Sequence, residues 1–308
     1  MKTIAQALLR NYTTFQLGGP CRILIECQTP QELQEAIQSF SKNNTPFILI
    51  GGGSNLVVSD KGIDTAVIRY VSSTPLINRE GNAVIVSAST ILDELALYCV
   101  NEGLEGLNYT TGIPGTVGGA VIGNAGAWGQ QVGDVLKSAI LIDKNGNSKE
   151  IKNSYFQFQY RHSHLKETNE ILASVRFALK PGDPLALAQE RAKILKQRAE
   201  KHPDLTIYPC AGSFFRNIEP TSKAERRQAA GWFLEQAGGK DLHVGGAHIF
   251  EKHANIVVKG HDCTAQDVHD LHLEMIEIVK KKFDLQLNRE VRFVGPFFNA
   301  SSNEKGFW

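Results

Sequence analysis

The run Pro209-Cys210-Ala211-Gly212-Ser213-Phe214-Phe215-Arg216-Asn217 sets a hydroxyl directly after a glycine, beside two aromatics, with a guanidinium and an amide close behind. Such a hydroxyl can act as a nucleophile, as an acid, or as a hydrogen-bond donor only. In an extended run, Ser213, Phe215 and Asn217 share one face while Phe214 and Arg216 share the other. The plain alternative is a strand or turn hydroxyl with no chemistry. A second kind of chemistry sits in two glycine-rich runs. One is Gly51-Gly52-Gly53-Ser54-Asn55-Leu56; the other spans Thr110 to Ala127 and contains Gly112-Ile113-Pro114-Gly115, Gly118-Gly119 and Gly123-Asn124-Ala125. Glycines after strands let the backbone approach a ligand, and their N–H groups can cradle phosphate oxygens. Two such loops suggest a ligand with more than one phosphate. Leu56 stands where the third glycine of a dinucleotide fingerprint belongs, and no loop supplies the Gly-Lys-Ser/Thr of a P-loop. Tight turns are the structural alternative for either run. Residue chemistry alone therefore reaches a large phosphorylated ligand and no further.

A chain of 308 residues can bury a large core and is expected to form two domains. With 33 Lys+Arg against 32 Asp+Glu, no broad basic surface for nucleic acid or an anionic membrane is expected, though local anion sites remain open. No apolar run approaches a membrane span, and Gln6 and Arg10 interrupt what a secretion signal would need. The five cysteines Cys21, Cys27, Cys99, Cys210 and Cys263 are odd in number and lack C-x-x-C spacing. Reduced thiols in a cytoplasm are expected, with neither a disulfide framework nor structural zinc.

Several elements must position these groups. Thr29-Pro30-Gln31-Glu32 reads as a capped helix start, with Leu33, Ala36, Ile37 and Phe40 on one face. Phe47–Ile50, Ala66–Ile68, Ala83–Val86, Ala139–Asp143 and a run from Ile171 to Leu179 read as strands, with a turn at Asn145-Gly146. A helix from about Thr90 to Glu102 should stop at Gly103. Lys180-Pro181-Gly182-Asp183-Pro184 is the best boundary. Beyond it, a helix with Leu185, Ala188, Ala192, Leu195 and Ala199 as its apolar face should end before Pro203. Then follow the Ser213 strand, a helix up to Gly238-Gly239, and strands at Ile249 and Ile256–Val258. A long helix opens at Thr264 and presents Val268, Leu271, Met275, Ile278 and Val279; a strand at Glu290–Val294 closes the series. Periodicity is lost from Pro296, so residues 296–308 read as a flexible tail.

Seven blocks in order carry a family resemblance. They are Asn11-Tyr12-Thr13-Thr14-Phe15 with Gly18-Gly19, Gly51 to Leu56, Gly112 to Gly119, Tyr160-Arg161-His162-Ser163, Gly212 to Asn217, Lys252-His253-Ala254-Asn255, and Glu290-Val291-Arg292. Together they resemble the UDP-N-acetylenolpyruvoylglucosamine reductases, the MurB family of peptidoglycan precursor synthesis. The resemblance implies an α+β architecture: a two-subdomain FAD-binding fold of the vanillyl-alcohol-oxidase type, followed by a smaller α+β substrate-binding domain. On this division, 1–182 binds FAD non-covalently, with subdomains of about 1–70 and 71–182, and 183–295 binds substrate. The implied reaction has two steps. NADPH reduces FAD, and UDP-N-acetylglucosamine enolpyruvate is then reduced to UDP-N-acetylmuramate, supporting cell wall biogenesis, cell shape and cell division. A cytoplasmic monomer is expected.

The family's motifs map Arg161 to holding the substrate carboxylate and stabilising the enolate, Glu290 to its protonated partner, and Ser213 to proton donation at carbon. FAD contacts are implied for Gly51, Gly52, Gly53, Ser54, Asn55, Leu56, Gly112, Ile113, Pro114, Gly115, Gly118, Gly119, Gly123, Asn124 and Ala125. Lys201, Arg216 and Asn217 are implied on the UDP side, Arg216 at a position where lysine is common. The stretch from Arg161 to Pro184 is too short for the tyrosine-bearing substrate loop of one branch, so the chain resembles the shorter branch.

Without the resemblance, Arg161 reads as a surface ion pair and Glu290 as a solvent-facing strand residue. His162, His164, His269 and His272 read as solvated side chains, since no carboxylate or cysteine completes a metal set. Cys210 reads as a small buried hydrophobe. Two other functions compete: an FAD oxidase of the same fold acting on an alcohol or sugar, and a non-catalytic nucleotide-sugar binder.

Overall fold

The computed structural model describes residues 1–168, 170–220 and 227–298. Helix α1 (Pro30–Lys42) begins at Thr29, whose side chain accepts from the Glu32 N–H at 3.2 Å while Glu32 reaches back to the cap backbone. Its buried face is Leu33, Ala36, Ile37 and Phe40, as the sequence predicts. That face covers a four-stranded sheet in the order Lys2–Ala5, Cys21–Cys27, Ile63–Tyr70, Phe47–Ile50. Ile63–Tyr70 runs parallel to both of its neighbours.

The second sheet has five antiparallel strands in the order Ser148–Lys152, Leu136–Ile142, Ile171–Ala178, Ala83–Ser87, Ile77–Glu80. Its first hairpin turns at Asn145-Gly146, with the Asp143 carboxylate accepting from the N–H groups of Asn145 and Asn147. Helix α2 (Leu92–Asn101) ends at Gly103, whose φ of +63° suits a residue without Cβ. One continuous core holds the buried face of α1 together with Leu95, Leu141, Val175 and Phe177, so the two sheets share a single interior.

A third sheet, Cys210–Ser213, Ile256–Lys259, Ala247–Ile249, His243–Val244, is antiparallel throughout. Helix α6 (Ala265–Phe283) packs on it, capped reciprocally by Thr264 and Asp267 and burying Val268, Leu271, Met275 and Val279. The strand Arg292–Val294 then crosses back and pairs in parallel with Leu56–Val58, so Val57 joins the second core. This crossover is what brings the Gly51 loop to the Glu290 segment.

Three expectations differ from the structure. Helix α4 (Pro184–Lys201) does not bury Leu185, Ala188, Ala192, Leu195 and Ala199; Leu185 is 67% and Leu195 41% exposed, while Leu187 and Ile194 are buried. A helix rich in Leu and Ala offers two apolar stripes, and a polar contact selects between them. Arg191 Nη1 and Nη2 lie 2.8 and 2.7 Å from the two carboxylate oxygens of Asp93 on α2, which turns the Leu187 side inward. His269 and His272 are not solvated: they are 0% and 2% exposed and pack among Phe214, Phe293 and Phe297. Of the expected tail, 296–298 is docked: Pro296 O accepts from Ser59 Oγ at 2.7 Å, and the Phe298 N–H donates to Gln266 Oε1 at 2.9 Å. Residues 299–308 lie outside the described residues.

Candidate active site

Ser213 ends the strand Cys210–Ser213, and the register against Ile256–Lys259 shifts between Cys210 and Ser213, where Gly212 adopts a φ of +76°. That kink breaks the alternation expected of an extended run. Phe214 and Phe215 are both buried, while Ser213 is half-buried and Asn217 exposed. Asn255 enforces this. Its side chain accepts from the Phe215 N–H at 2.9 Å and donates to Phe215 O at 2.8 Å, and its carbonyl accepts from the Phe214 N–H at 2.7 Å. The serine hydroxyl is thus held on a rigid backbone, and among the described residues it has no hydrogen-bond partner.

Glu290 lies alongside. Its N–H donates to Phe214 O at 2.8 Å, next to Ser213 in the chain. Its carbonyl accepts from Asn55 Nδ2 at 3.0 Å, and the Asn55 carbonyl accepts from the Arg292 N–H at 3.0 Å. The glycine loop is therefore stitched to the Glu290 segment on both sides. The Glu290 carboxylate faces Arg161, with Nε 3.1 Å from Oε1. Arg161 sits at the tip of a tight turn closed by reciprocal 3.1 Å backbone bonds between Gln159 and His162, and its φ is +55°. A bulky residue in this conformation is strained, and such strain gathers where a side chain must point one way. Arg161 Nη1 also donates to Gly126 O at 3.0 Å.

The two glycine loops abut each other. Ser54 Oγ donates to Pro114 O at 3.0 Å, and a Cβ on Gly52 would stand 3.1 Å from Gly115 Cα. Gly53, at a φ of +64°, runs so close to Tyr12 that a Cβ would lie 2.1 Å from its carbonyl oxygen. Gly112 N–H donates to Asp93 Oδ1 at 2.7 Å, and Ile113 N–H to Thr110 O at 3.0 Å. Gly118 packs on Ala88, Gly119 N–H is taken by the cap residue Thr116, and Gly123 closes the short helix α3 (Val117–Ile122). Ala125 N–H bonds Ala120 O at 2.8 Å. Asn124 spends its side chain internally, on Gln131, Gln159 O and the Gly133 N–H. By contrast, the successive N–H groups of Gly52, Gly53, Ser54 and Asn55 have no partner among the described residues. A row of unpaired donors on a glycine-rich turn beside Leu56 fits the diphosphate of a dinucleotide cofactor.

Arg216 stands at the edge of the site with a buried Nε that has no hydrogen bond among the described residues. Its backbone N–H donates to Asn288 O at 2.9 Å. Asn217 donates its N–H to Tyr160 Oη at 3.2 Å, and its side-chain oxygen accepts from the Ala230 N–H at 3.3 Å, where helix α5 (Ala230–Gln236) begins. Lys201 stands apart from this cluster at the exposed end of α4, its charge contributing to a lowered His253 pKa that burial mainly causes. A cavity of about 620 Å³ opens between Tyr160, His162, Glu167, Arg216 and Arg227.

The structure adds residues that the sequence did not single out. Lys166, five residues after Arg161, turns its Nζ into the site and donates to Arg161 O at 2.7 Å. Burial, then Arg292 and Arg216, lower its pKa to about 8, with Glu290 opposing. Burial and Arg216 likewise lower Arg292. Tyr160 carries Arg227 over its ring at 4.1 Å and Arg161 at 5.4 Å. Nothing in local periodicity marks Lys166 or Arg227, since Lys166 ends a single 3-10 turn, His164–Lys166, and Arg227 lies in irregular chain. Among the described residues, no group of three or more His, Cys, Asp or Glu could hold a metal ion, and no helix is long and apolar enough to cross a membrane.

Fold and site together define a flavoprotein whose C-terminal unit brings Glu290 against the first glycine loop and against Arg161. The family models agree: residues 21–152 match an FAD binding domain, and residues 202–294 match the C-terminal domain of UDP-N-acetylenolpyruvoylglucosamine reductase. The chain is 34% identical to the UDP-N-acetylenolpyruvoylglucosamine reductase of Clostridium novyi (strain NT), over 94% of this chain and 91% of that one. It is 35% identical to that of Alkaliphilus oremlandii (strain OhILAs), over 93% and 91%. The crystal structure of UDP-N-acetylenolpyruvylglucosamine reductase (MurB) from Thermus caldophilus superposes with a TM-score of 0.77 at 30% identity, covering 96% of this chain and 98% of that one. The chain belongs to the UDP-N-acetylenolpyruvoylglucosamine reductase family.

Proposed function

We propose that this chain reduces the enolpyruvyl ether of UDP-N-acetylglucosamine enolpyruvate to UDP-N-acetylmuramate, with NADPH as electron donor and FAD as bound cofactor. The observation that carries the reading is that Glu290 is bonded through its backbone to Asn55 of the first glycine loop and to Phe214, the neighbour of Ser213, while its carboxylate faces Arg161. FAD, held non-covalently by the two glycine loops, supplies the hydride. Gly52 to Asn55 present the donors for its diphosphate, while Gly112 to Gly119 form the facing wall.

Arg161 binds the substrate carboxylate and stabilises the negative charge that grows on it when hydride reaches the terminal carbon. Preorganised cations in a partly dehydrated site are worth far more than in water. Glu290, with Oε1 3.1 Å from Arg161 Nε, is the partner that holds that guanidinium toward the developing enolate. Ser213 then delivers its proton to the carbanionic carbon. A hydroxyl is a weak acid, but an enolate is a strong base and the Asn255 clamp fixes the donor in place. Arg216 and Asn217 are assigned to the UDP moiety, and Lys201, at the exposed end of α4, to its far end.

We assign 1–182 to FAD and 183–295 to substrate, with α4 joined to α2 of the first unit through Arg191 and Asp93. Both loops and Ser213 come from one chain, which supports a working monomer. Five free, buried cysteines support a reducing compartment, the cytoplasm. The test is anaerobic absorbance: the purified protein is yellow, NADPH bleaches it, and UDP-N-acetylglucosamine enolpyruvate restores the colour. Colour restored only by oxygen, or protein without flavin, contradicts the reading.

A further inference from the structure

We propose that Lys166 is a further positioning residue of the site: it fixes Arg161 through its main-chain carbonyl and brings the extra positive charge that recruits the substrate carboxylate. The inference rests on the functional reading above and deepens it. Arg161 occupies the second position of a two-residue turn with φ +55°, a conformation a glycine or asparagine would adopt more readily. The Lys166 Nζ, 2.7 Å from Arg161 O, ties that carbonyl down. Lys166 is itself held: its N–H donates to Ser163 O at 2.9 Å, and Ser163 Oγ donates to Ile122 O at 2.8 Å at the end of α3. On its far side, His162 Nε2 stands 3.0 Å from Glu167, closing the same loop. The turn carrying Arg161 is thus anchored to the helix that follows the second glycine loop.

The charges facing Lys166 come from three places: Arg161 on its own loop, Arg216 after the Ser213 strand, and Arg292 with Glu290 on the returning strand. Lys166 adds its charge to these groups, beside the Glu167 that pairs with His162, and the substrate's carboxylate is the anion this cluster receives. Burial, then Arg292 and Arg216, disfavour the ammonium form of Lys166 and lower its pKa to about 8. An anion at the site reverses that penalty, so above pH about 8 binding must take up a proton and weakens as pH rises. NADPH-driven flavin reduction does not need the carboxylate and should be spared.

The experiment measures both half-reactions of the holoenzyme from pH 6.5 to 9.5 for wild type, Lys166→Met and Lys166→Arg. The expected result is a rise in wild-type KM for the enolpyruvyl substrate above pH about 8. Lys166→Met should show at least a tenfold higher KM at pH 7.5 with that rise lost, and Lys166→Arg a near-normal KM with the rise displaced upward. Wild-type KM and an unchanged alkaline limb in Lys166→Met overturn the inference alone. If Lys166→Met retains no flavin, Lys166→Arg decides: an unshifted limb overturns the inference and a displaced limb supports it. Wild-type protein whose reduced flavin ignores this substrate overturns the functional reading, and the inference falls with it.

Discussion

Arg161 Nε lies 3.1 Å from Glu290 Oε1, joining a strained turn of the FAD-binding unit to the strand that returns from the C-terminal unit. Each partner is a quarter exposed, so the pair is neither a solvated surface bridge nor a sealed one. Glu290→Gln keeps the shape and removes the charge and the titratable proton. Substrate reduction should fall by about 10²-fold or more, as for loss of one preorganised group at a developing anion. Flavin bleaching by NADPH should persist. Steady-state kcat beside the separately measured bleaching rate checks this; equal loss in both would place Glu290 in folding or flavin binding instead.

Gly53→Ala tests the loop. A Cβ there would meet Tyr12 O at 2.1 Å and Thr13 Cα at 2.8 Å, in a left-handed backbone. The loop must shift, and the row of free N–H donors shifts with it. Flavin content, read as the 450-to-280 nm absorbance ratio, should drop well below that of wild type. Gly81→Ala is the control: it has a φ of +63° but open space around its Cβ, and it should retain its flavin.

Asp93 links α2, α4 and the second glycine loop at once, through Arg191 and the Gly112 N–H. Burial works against its ionisation, but those donors and the Arg191 charge win, and its pKa lies below the usual 3.8. A carboxylate depressed on folding stabilises fully above its unfolded pKa, and that contribution is lost as pH falls through the folded value. Wild type should therefore lose thermal stability below about pH 4. Asp93→Asn should be less stable at pH 7 and show a shallower acid limb. Parallel limbs in calorimetric pH series would contradict this role.

Asn255→Ala removes both side-chain bonds to Phe215 in a buried setting. Two peptide groups left unpaired, at about 1–3 kcal/mol each, predict a loss of about 2–6 kcal/mol. The denaturation midpoint should fall accordingly, and substrate reduction should fall with it because Ser213 loses its fixed support.

Local sequence rules found much of this molecule. Thr29 and Thr264 cap helices where their spacing says they should, because capping needs only neighbouring residues. The glycine runs read as close-approach loops, and the ordered blocks single out Arg161, Ser213 and Glu290, of which the structure pairs Arg161 with Glu290. What pattern reading missed depends on long-range partners. The face of α4 is chosen by Asp93, nearly a hundred residues earlier, and its apolar stripes alone mislead. His269 and His272 look polar in a window but are enclosed by Phe293 and Phe297, which arrive from the end of the chain. The strand alternation around Ser213 fails because of one positive-φ glycine and a clamp from Asn255. Lys166 carries no signal, as a single 3-10 turn is too short to give a periodicity to read.

The most direct test is stopped-flow flavin absorbance on Ser213→Ala. Reduction by NADPH should match wild type, while reoxidation by UDP-N-acetylglucosamine enolpyruvate should slow by about 10²–10⁴-fold, the usual worth of a general acid. Reoxidation at the wild-type rate, or equal slowing of both half-reactions, would contradict Ser213 as the proton donor.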